Sequence, residues 1–204
     1  DPASEEDVNV EGNNNSSSGA AVSGRAGATA VPIDPVDLPT ATPRPPLSFS
    51  YSKYVASALG VSFESVAGYN VDESQAGKYV LTEPAELVKD NVQVQITLQV
   101  NSVDSNYKLT NLKRDLVEKV KQLGSVNYEI WKPTGVSSRT LLGKNGFYQD
   151  FRGVTFDGTI VRGRVHVALV NGNVVTLQYI CPGWYNSDYT KVYSHIRDTM
   201  KIVR

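Results

Sequence analysis

The segment at residues 92–100 constrains the fold most, because apolar and polar side chains alternate along it without interruption. Valine, isoleucine and leucine occupy every even-numbered position, and three glutamines and a threonine separate them. A period of two residues is typical of a β-strand that has one buried face and one wetter face. The segment therefore predicts a strand of an antiparallel sheet.

The period of the apolar positions changes to that of a helix at three other places. Apolar residues recur every three or four positions over Asn111–Gly124, which predicts an amphipathic helix that ends at its glycine. A similar pattern predicts a last helix capped by Ser187 or Asp188. The spacing of tyrosine and aliphatic residues over Ser50–Leu59 predicts a third helix.

Further strands are predicted wherever short β-branched and aromatic runs end at turn residues. These strands are Val61–Val66, Lys78–Leu81, Tyr128–Trp131, Ser138–Leu142, Phe147–Phe156, Thr159–Val170 and Val174–Ile180. An antiparallel meander packed by segregated helices is an α+β domain, and we assign it to residues 47–204.

The Asn171-Gly172 dipeptide predicts a hairpin between the last two strands. A two-residue loop would place His166 opposite Leu177 and so mix polar and apolar side chains on one face. A three-residue loop that includes Asn173 places Val167 opposite Leu177 and sorts the two faces. The sequence therefore predicts the three-residue loop.

Residues 1–46 differ from the rest of the chain in composition. They contain seven of the prolines and no aromatic residue, and seven acidic residues against two arginines give them a net charge of −5. Such a segment has too little apolar surface to offset the entropy lost when a chain becomes ordered. We expect an acidic, Ser/Gly/Pro-rich disordered linker that precedes the domain.

Composition excludes several classes of function. The net charge is −1 and charged residues make up 20% of the chain, which argues against a nucleic-acid partner. One cysteine, Cys181, and two histidines offer too few donors for a metal centre, and no phosphate-binding glycine loop is present. We therefore expect no metal and no cofactor.

The sequence contains no convincing catalytic constellation. Ser187 and Asp188 precede His195 by about two helical turns, and no nucleophile elbow surrounds them. Cys181 lies at the end of an apolar strand, where a free cysteine usually serves as a small buried hydrophobe. We expect a protein that is not an enzyme, and an unrecognised hydrolase remains an alternative.

Two groups of residues are candidate binding sites. Arg162, Arg164 and His166 alternate with valines, so they share the strand face opposite those valines, and the glutamines of residues 93–99 are expected on the same face. That face could bind a carboxylate or phosphate, or it could be an ordinary solvated or helix-covered face. Trp184 and Tyr185 are candidate interface residues, although aromatic side chains also pack helix starts onto sheets.

The order of elements resembles the PsbP-like fold, in its bacterial envelope lipoprotein type. Residues 60–64 and Ala67-Gly68-Tyr69 are similar to the opening strand and turn, where relatives often have Pro-x-Gly-Trp and this chain has Val66 and Tyr69 in place of the proline and tryptophan. The resemblance covers about residues 60–203. Proteins with this fold include lumenal photosystem proteins, a Ran-binding import factor and bacterial envelope proteins.

The resemblance implies binding and assembly rather than catalysis, and an extracytoplasmic address. Together with the linker, it favours a surface-tethered domain for protein–protein recognition in the bacterial cell envelope. Its partner is expected to be a protein, and its membrane association is expected only through a lipid anchor upstream of residue 1. A small-molecule or anion-binding domain that uses the outer sheet face is the alternative.

Overall fold

The computed structural model describes residues 43–204, of which Arg44–Arg204 form one compact unit. The linker predicted for residues 1–46 lies outside the described residues except for its last four. The strands, in chain order, are β1 (Tyr51–Ala56), β2 (Val61–Val66), β3 (Asn70–Asp72), β4 (Lys78–Thr82), β5 (Gln95–Ser102), β6 (Tyr128–Ser138), β7 (Gly146–Thr155), β8 (Ile160–Val170), β9 (Asn173–Pro182) and β10 (Lys201–Ile202). The helices are α1 (Leu109–Leu123) and α2 (Asn186–Thr199).

The strands of this unit form two antiparallel sheets. The larger sheet has seven strands in the order β3-β4-β5-β9-β8-β7-β6, and the smaller has the order β1-β2-β10. The α+β class with an antiparallel meander is therefore confirmed. Neither helix is long and apolar enough to cross a membrane.

Both faces of the large sheet are covered in its middle. Helix α2 and the small sheet bury one face, in a cluster that includes Leu98, Leu177 and Val192. Helix α1 buries the other face over β7 and β8, where Leu116 packs with Val165. Because each face has its own core, neighbouring residues of a central strand are both buried.

This double burial explains why the predicted hairpin register is wrong. The β8–β9 loop has two residues, Asn171 and Gly172, and His166 lies opposite Leu177. Both loop residues have positive φ (50° and 78°), as a type I′ turn requires. The prediction assumed one buried face, and with two buried faces the apolar sorting no longer selects the longer loop.

The amphipathic helix at 111–124 and most of the predicted strands are confirmed, but the helix predicted at Ser50–Leu59 is wrong. This segment forms β1 and a single 3₁₀ turn, Ser57–Leu59, which ends at Gly60 in the left-handed conformation. Strand β1 pairs with β2, and the ring of Tyr54 lies 4.9 Å from that of Tyr79. Pairing with β2 and packing of Tyr54 against Tyr79 therefore override the local helical spacing.

Two further boundaries differ from the prediction. Strand β6 continues to Ser138, and the segment predicted as a strand at Ser138–Leu142 is instead largely a turn, closed by a bridge between Leu141 and Lys144. Helix α2 begins at Asn186 without a side-chain cap. Asp188, predicted as a cap, accepts a hydrogen bond from the Leu47 amide instead (3.1 Å).

Candidate functional site

The structure places the three predicted ligand-binding residues on one side of β8 but in different environments. His166 is fully buried and Arg164 is 9% exposed, whereas Arg162 is exposed. The glutamines of β5 do not share this side: Gln99 lies opposite Thr176, which lies opposite Val167, so they face the α1 side of the sheet. The expectation of one continuous outer face is therefore wrong, and only Arg162 of the three lies on open surface.

His166 is a structural residue in the contact between β8 and α2. Its Nδ1 accepts a hydrogen bond from the Tyr193 hydroxyl (2.6 Å), and its Nε2 donates one to the backbone oxygen of Arg139 (3.1 Å). Burial, together with the nearby arginine charges, lowers the pKa of His166 to about 4. The imidazole is therefore neutral, and both of its nitrogens are engaged.

Arg164 also holds the fold together. Its guanidinium donates two hydrogen bonds to Asp150, from Nε to Oδ1 (2.6 Å) and from Nη2 to Oδ2 (3.0 Å). Its Cζ lies 4.1 Å from the ring centre of Tyr148 and 5.0 Å from that of Tyr193. A bidentate pair between two aromatic rings fixes the arginine in place and makes it part of the framework of the fold.

Arg162 and Trp184 line one open basin, so the structure joins the two predicted sites. The basin has a volume of about 690 Å³ and lies where β7 turns into β8. Its lining comprises Arg44, Asp90, Asn91, Arg152, Asp157, Gly158, Thr159, Ile160, Arg162, Gly183 and Trp184. Three arginines therefore meet an exposed indole in a single concavity.

Two of these arginines were not predicted from the sequence. Arg152 lies directly opposite Arg162 on the neighbouring strand, a relation that becomes visible only when the β7–β8 register is known. Arg44 falls within the segment predicted to be a linker, yet its Nη2 donates a hydrogen bond to the Trp184 backbone oxygen (2.8 Å). Its Cζ also stacks 3.0 Å above the ring centre of Tyr185.

The two predicted interface residues have different surroundings. Trp184 is 68% exposed, whereas Tyr185 is half-buried beneath Arg44. Arg44 is also 4.0 Å from Asp188, whose other carboxylate oxygen holds the Leu47 amide. Segment 44–47 is therefore fastened beside the basin, and Tyr185 serves that fastening while Trp184 stays exposed.

The turn between β7 and β8 forms the outer wall of the basin. Phe156 at this turn is 74% exposed. Asp157 accepts hydrogen bonds from the Thr155 hydroxyl and from the Thr159 amide, and these bonds lower its pKa. The Asp157 carboxylate is thereby committed to shaping the turn. A neighbouring basin of about 480 Å³, lined in part by Phe156, shares Asn91, Asp157 and Thr159 with the first.

The residues considered for catalysis are not brought together. His195 pairs with Glu64 (Nε2 to Oε2, 2.5 Å) and stacks on Tyr51, while Asp188 holds Leu47. Cys181 is fully buried, and burial raises the pKa of its thiol to about 12. Within residues 43–204 no three potential metal ligands cluster.

The structure is that of an α+β domain in which an antiparallel sheet lies between α1 on one face and α2 with the small sheet on the other. Its basin is open to solvent. No protein-family model and no curated protein matches the chain. Solved structures do match it in fold, and they include a PsbP protein and an envelope protein. The predicted PsbP-like fold is thereby confirmed.

Three of these structures cover 76% of this chain each. Cyanobacterial PsbP (CyanoP) from Synechocystis has 13% identity and a TM-score of 0.57 over 94% of its own length. LpqN, involved in cell envelope biogenesis of Mycobacterium tuberculosis, has 11% identity and a TM-score of 0.57 over 92% of its length. The Saccharomyces cerevisiae Ran-binding protein Mog1p has 10% identity and a TM-score of 0.55 over 97% of its length.

Proposed function

We propose that this protein is a non-enzymatic recognition domain that binds a partner protein. The binding region is the surface formed by Arg44, Arg152, Phe156, Ile160, Arg162 and Trp184, which we call the hairpin-end surface. The proposal agrees with the role in Ran binding stated for Mog1p, one of the proteins that share the fold.

The observation that carries the proposal is the exposure of large apolar side chains among arginines. Phe156 is 74%, Trp184 68% and Ile160 41% exposed, and all three lie at the same end of the large sheet. Aromatic residues and arginine are enriched at the centres of protein interfaces, and a contiguous exposed apolar patch on a folded domain commonly marks a binding surface. Arg44 also fastens segment 44–47, whereas the exposed parts of Phe156, Ile160 and Trp184 are accessible to a partner.

A non-enzymatic role is supported by how the reactive side chains are used. The nitrogens of His166 are both occupied inside the core, and the thiol of Cys181 is held protonated by burial. His195 lies on the far end of α2 from Trp184 and pairs with Glu64. A broad screen for esterase, glycosidase and phosphatase turnover tests this part, and reproducible turnover that His195→Gln abolishes would contradict it.

We further propose an extracytoplasmic location, in which the acidic N-terminal segment serves as a tether at the bacterial surface. The Ser/Gly/Pro-rich composition of residues 1–46 supports a tether. A fold shared with LpqN, which is involved in cell envelope biogenesis, supports an envelope address. Fractionation of the source organism, with protease accessibility in intact cells, tests the location, and recovery only from the cytoplasm would contradict it.

Site-specific photo-crosslinking tests whether the hairpin-end surface binds a partner protein. A benzophenone amino acid replaces Phe156 in one full-length variant and Val71 in a control variant, because Val71 is also exposed but lies on β3, at the opposite edge of the large sheet. In envelope extracts we expect a discrete crosslinked protein from position 156 and none from position 71. Trp184→Ala should reduce the crosslink at least fivefold, whereas Val117→Ala on α1 should leave it unchanged. The same products from both positions would refute the proposal.

An anion-binding small-molecule site is the second candidate function, and the basin beside Arg162 favours it. Calorimetry with small carboxylates and phosphates distinguishes the two functions. Micromolar binding that Arg162→Ala abolishes, in the absence of any crosslink at position 156, would select the small-molecule function.

A further inference from the structure

A row of three cations crosses the end of the large sheet. Lys132 on β6 lies directly opposite Arg152 on β7, and Arg152 lies directly opposite Arg162 on β8. Neighbouring strands are about 4.8 Å apart, so the row spans about 10 Å. Like charges directly opposite each other destabilise a sheet, and the fold therefore gains nothing from this arrangement.

The acidic residues nearby do not neutralise the row. Asp150, the next residue on the same side of β7 as Arg152, gives both carboxylate oxygens to Arg164. Asp157 is committed to the turn. Across residues 43–204 the salt bridges within 4.0 Å involve other residues, and none includes Lys132, Arg152 or Arg162.

Apolar surface lies next to the row. Ile160 is two residues from Arg162 on β8, and Trp184 lines the same basin as both arginines. Asp90 also lines this basin. A ligand that fits must therefore carry negative charge, an apolar group and hydrogen-bond donors within a short distance.

We infer that the partner presents an acidic peptide segment, whose carboxylates pair with Arg152 and Arg162 while a neighbouring apolar side chain packs on Trp184 and Ile160. This inference rests on the proposed function and names the chemistry of the partner. Guanidinium groups bind carboxylates bidentately. An extended peptide places alternate side chains about 6.6 Å apart, and the long glutamate and arginine side chains can bridge the difference from the spacing of about 4.8 Å between adjacent strands. The carboxylate of Asp90, which lines the same basin, would accept a peptide N–H group, a donor that a phosphodiester lacks.

The test is a nuclear magnetic resonance titration of the ¹⁵N-labelled full chain with a probe peptide that alternates glutamate and phenylalanine. We expect shifts at Gly158, Ile160 and the Trp184 indole, and weaker binding as salt increases. The double variant Arg152→Gln/Arg162→Gln should raise Kd at least tenfold. Arg114→Gln, an exposed arginine on α1, serves as the matched control and should not change Kd.

Three results would overturn the inference. The first is that a peptide with glutamine in place of glutamate binds as tightly as the acidic peptide. The second is that the double variant and the native protein bind the acidic peptide with equal Kd. The third is that inorganic phosphate or phosphatidylglycerol vesicles bind more tightly than the peptide and with the same dependence on the two arginines. The photo-crosslink at position 156 separates this failure from that of the proposed function. A crosslink that persists in the double variant would support protein recognition and contradict an acidic partner segment. Peptide binding without any crosslinked protein would contradict the proposed recognition function.

Discussion

The Nδ1 atom of His166 lies 2.6 Å from the hydroxyl of Tyr193, and this hydrogen bond joins the centre of the large sheet to α2. It requires a neutral imidazole, since Nδ1 must accept. Both side chains are fully buried, so an additional proton on the ring would be a charge without solvation. The pair therefore makes the stability of the fold dependent on pH.

We predict that the free energy of unfolding falls by about 2 kcal/mol between pH 7.5 and pH 5 because of His166. The ring has an ordinary pKa of 6.5 in the unfolded chain and about 4 in the folded domain, so the unfolded state binds the proton more readily between these values. The stabilisation is complete above the unfolded pKa and is lost as pH falls towards the folded one. Urea unfolding at the two pH values measures the difference.

His166→Gln should remove this part of the pH dependence, whereas His195→Gln should retain it. The C2 proton of the His166 imidazole, followed by nuclear magnetic resonance, supplies a second measurement in the native protein. A midpoint near pH 6.5 for that proton would contradict the prediction.

Truncation should destabilise the domain at Arg164 and leave its stability nearly unchanged at Arg162. Arg164→Ala removes a bidentate pair and leaves Asp150 without its partner, and we expect a loss of about 2 kcal/mol, because Asp150 is partly exposed and regains water. Arg162→Ala removes an exposed side chain without an ion pair among the described residues, and stability should stay within about 0.5 kcal/mol. Thermal and urea denaturation of both variants decide this. Equal losses would mean that Arg162 is also part of the framework.

Gly163→Ala should destabilise the domain by about 3 kcal/mol, because a methyl group there would overlap the backbone oxygen of Tyr179 and the ring of Phe151. Gly135→Ala is the matched control on β6, since a methyl group at that position meets no atom within 4 Å. Urea unfolding compares the two variants. Similar stabilities would show that the sheet adjusts around position 163.

Cys181 should be unreactive in the folded protein. Its thiol is fully buried, and burial raises its pKa to about 12, so the thiolate that reacts with disulfide reagents is scarce at pH 8. We expect labelling by a thiol reagent to be at least a hundredfold slower in buffer than in 6 M urea. Rapid labelling under native conditions would instead identify an accessible nucleophile.

The elements predicted correctly are those whose pattern reflects one clear environment. The helix predicted at 111–124 has one apolar stripe, and its residues Leu112, Leu116 and Val120 are buried in the structure. The strand at 92–100 alternates cleanly, because only its even-numbered face packs against α2 and the small sheet. Tyrosines at helical spacing also suit an edge strand, so the pattern of Ser50–Leu59 does not separate a helix from a strand, and only pairing with β2 decides between them.

The candidate site was predicted in part. Arg162 and Trp184 were predicted as candidate residues from the sequence, although no pattern in the sequence around them indicates that they line the same basin. Arg164 and His166 have the same alternation as Arg162 and differ only in what covers them. Arg152 could have been found from the sequence only with the β7–β8 register, which a glycine-containing turn at Asp157-Gly158 indicates but does not fix.

The sequence by itself determined the fold class and the positions of most strands, because period and turn chemistry are local properties of a chain. Only the tertiary structure decided which faces are buried, which register the β8–β9 hairpin adopts and which arginines meet. These depend on packing between residues that are far apart in sequence, and a second helix on the opposite face of the sheet changes the environment of a side chain without any change in its neighbours along the chain.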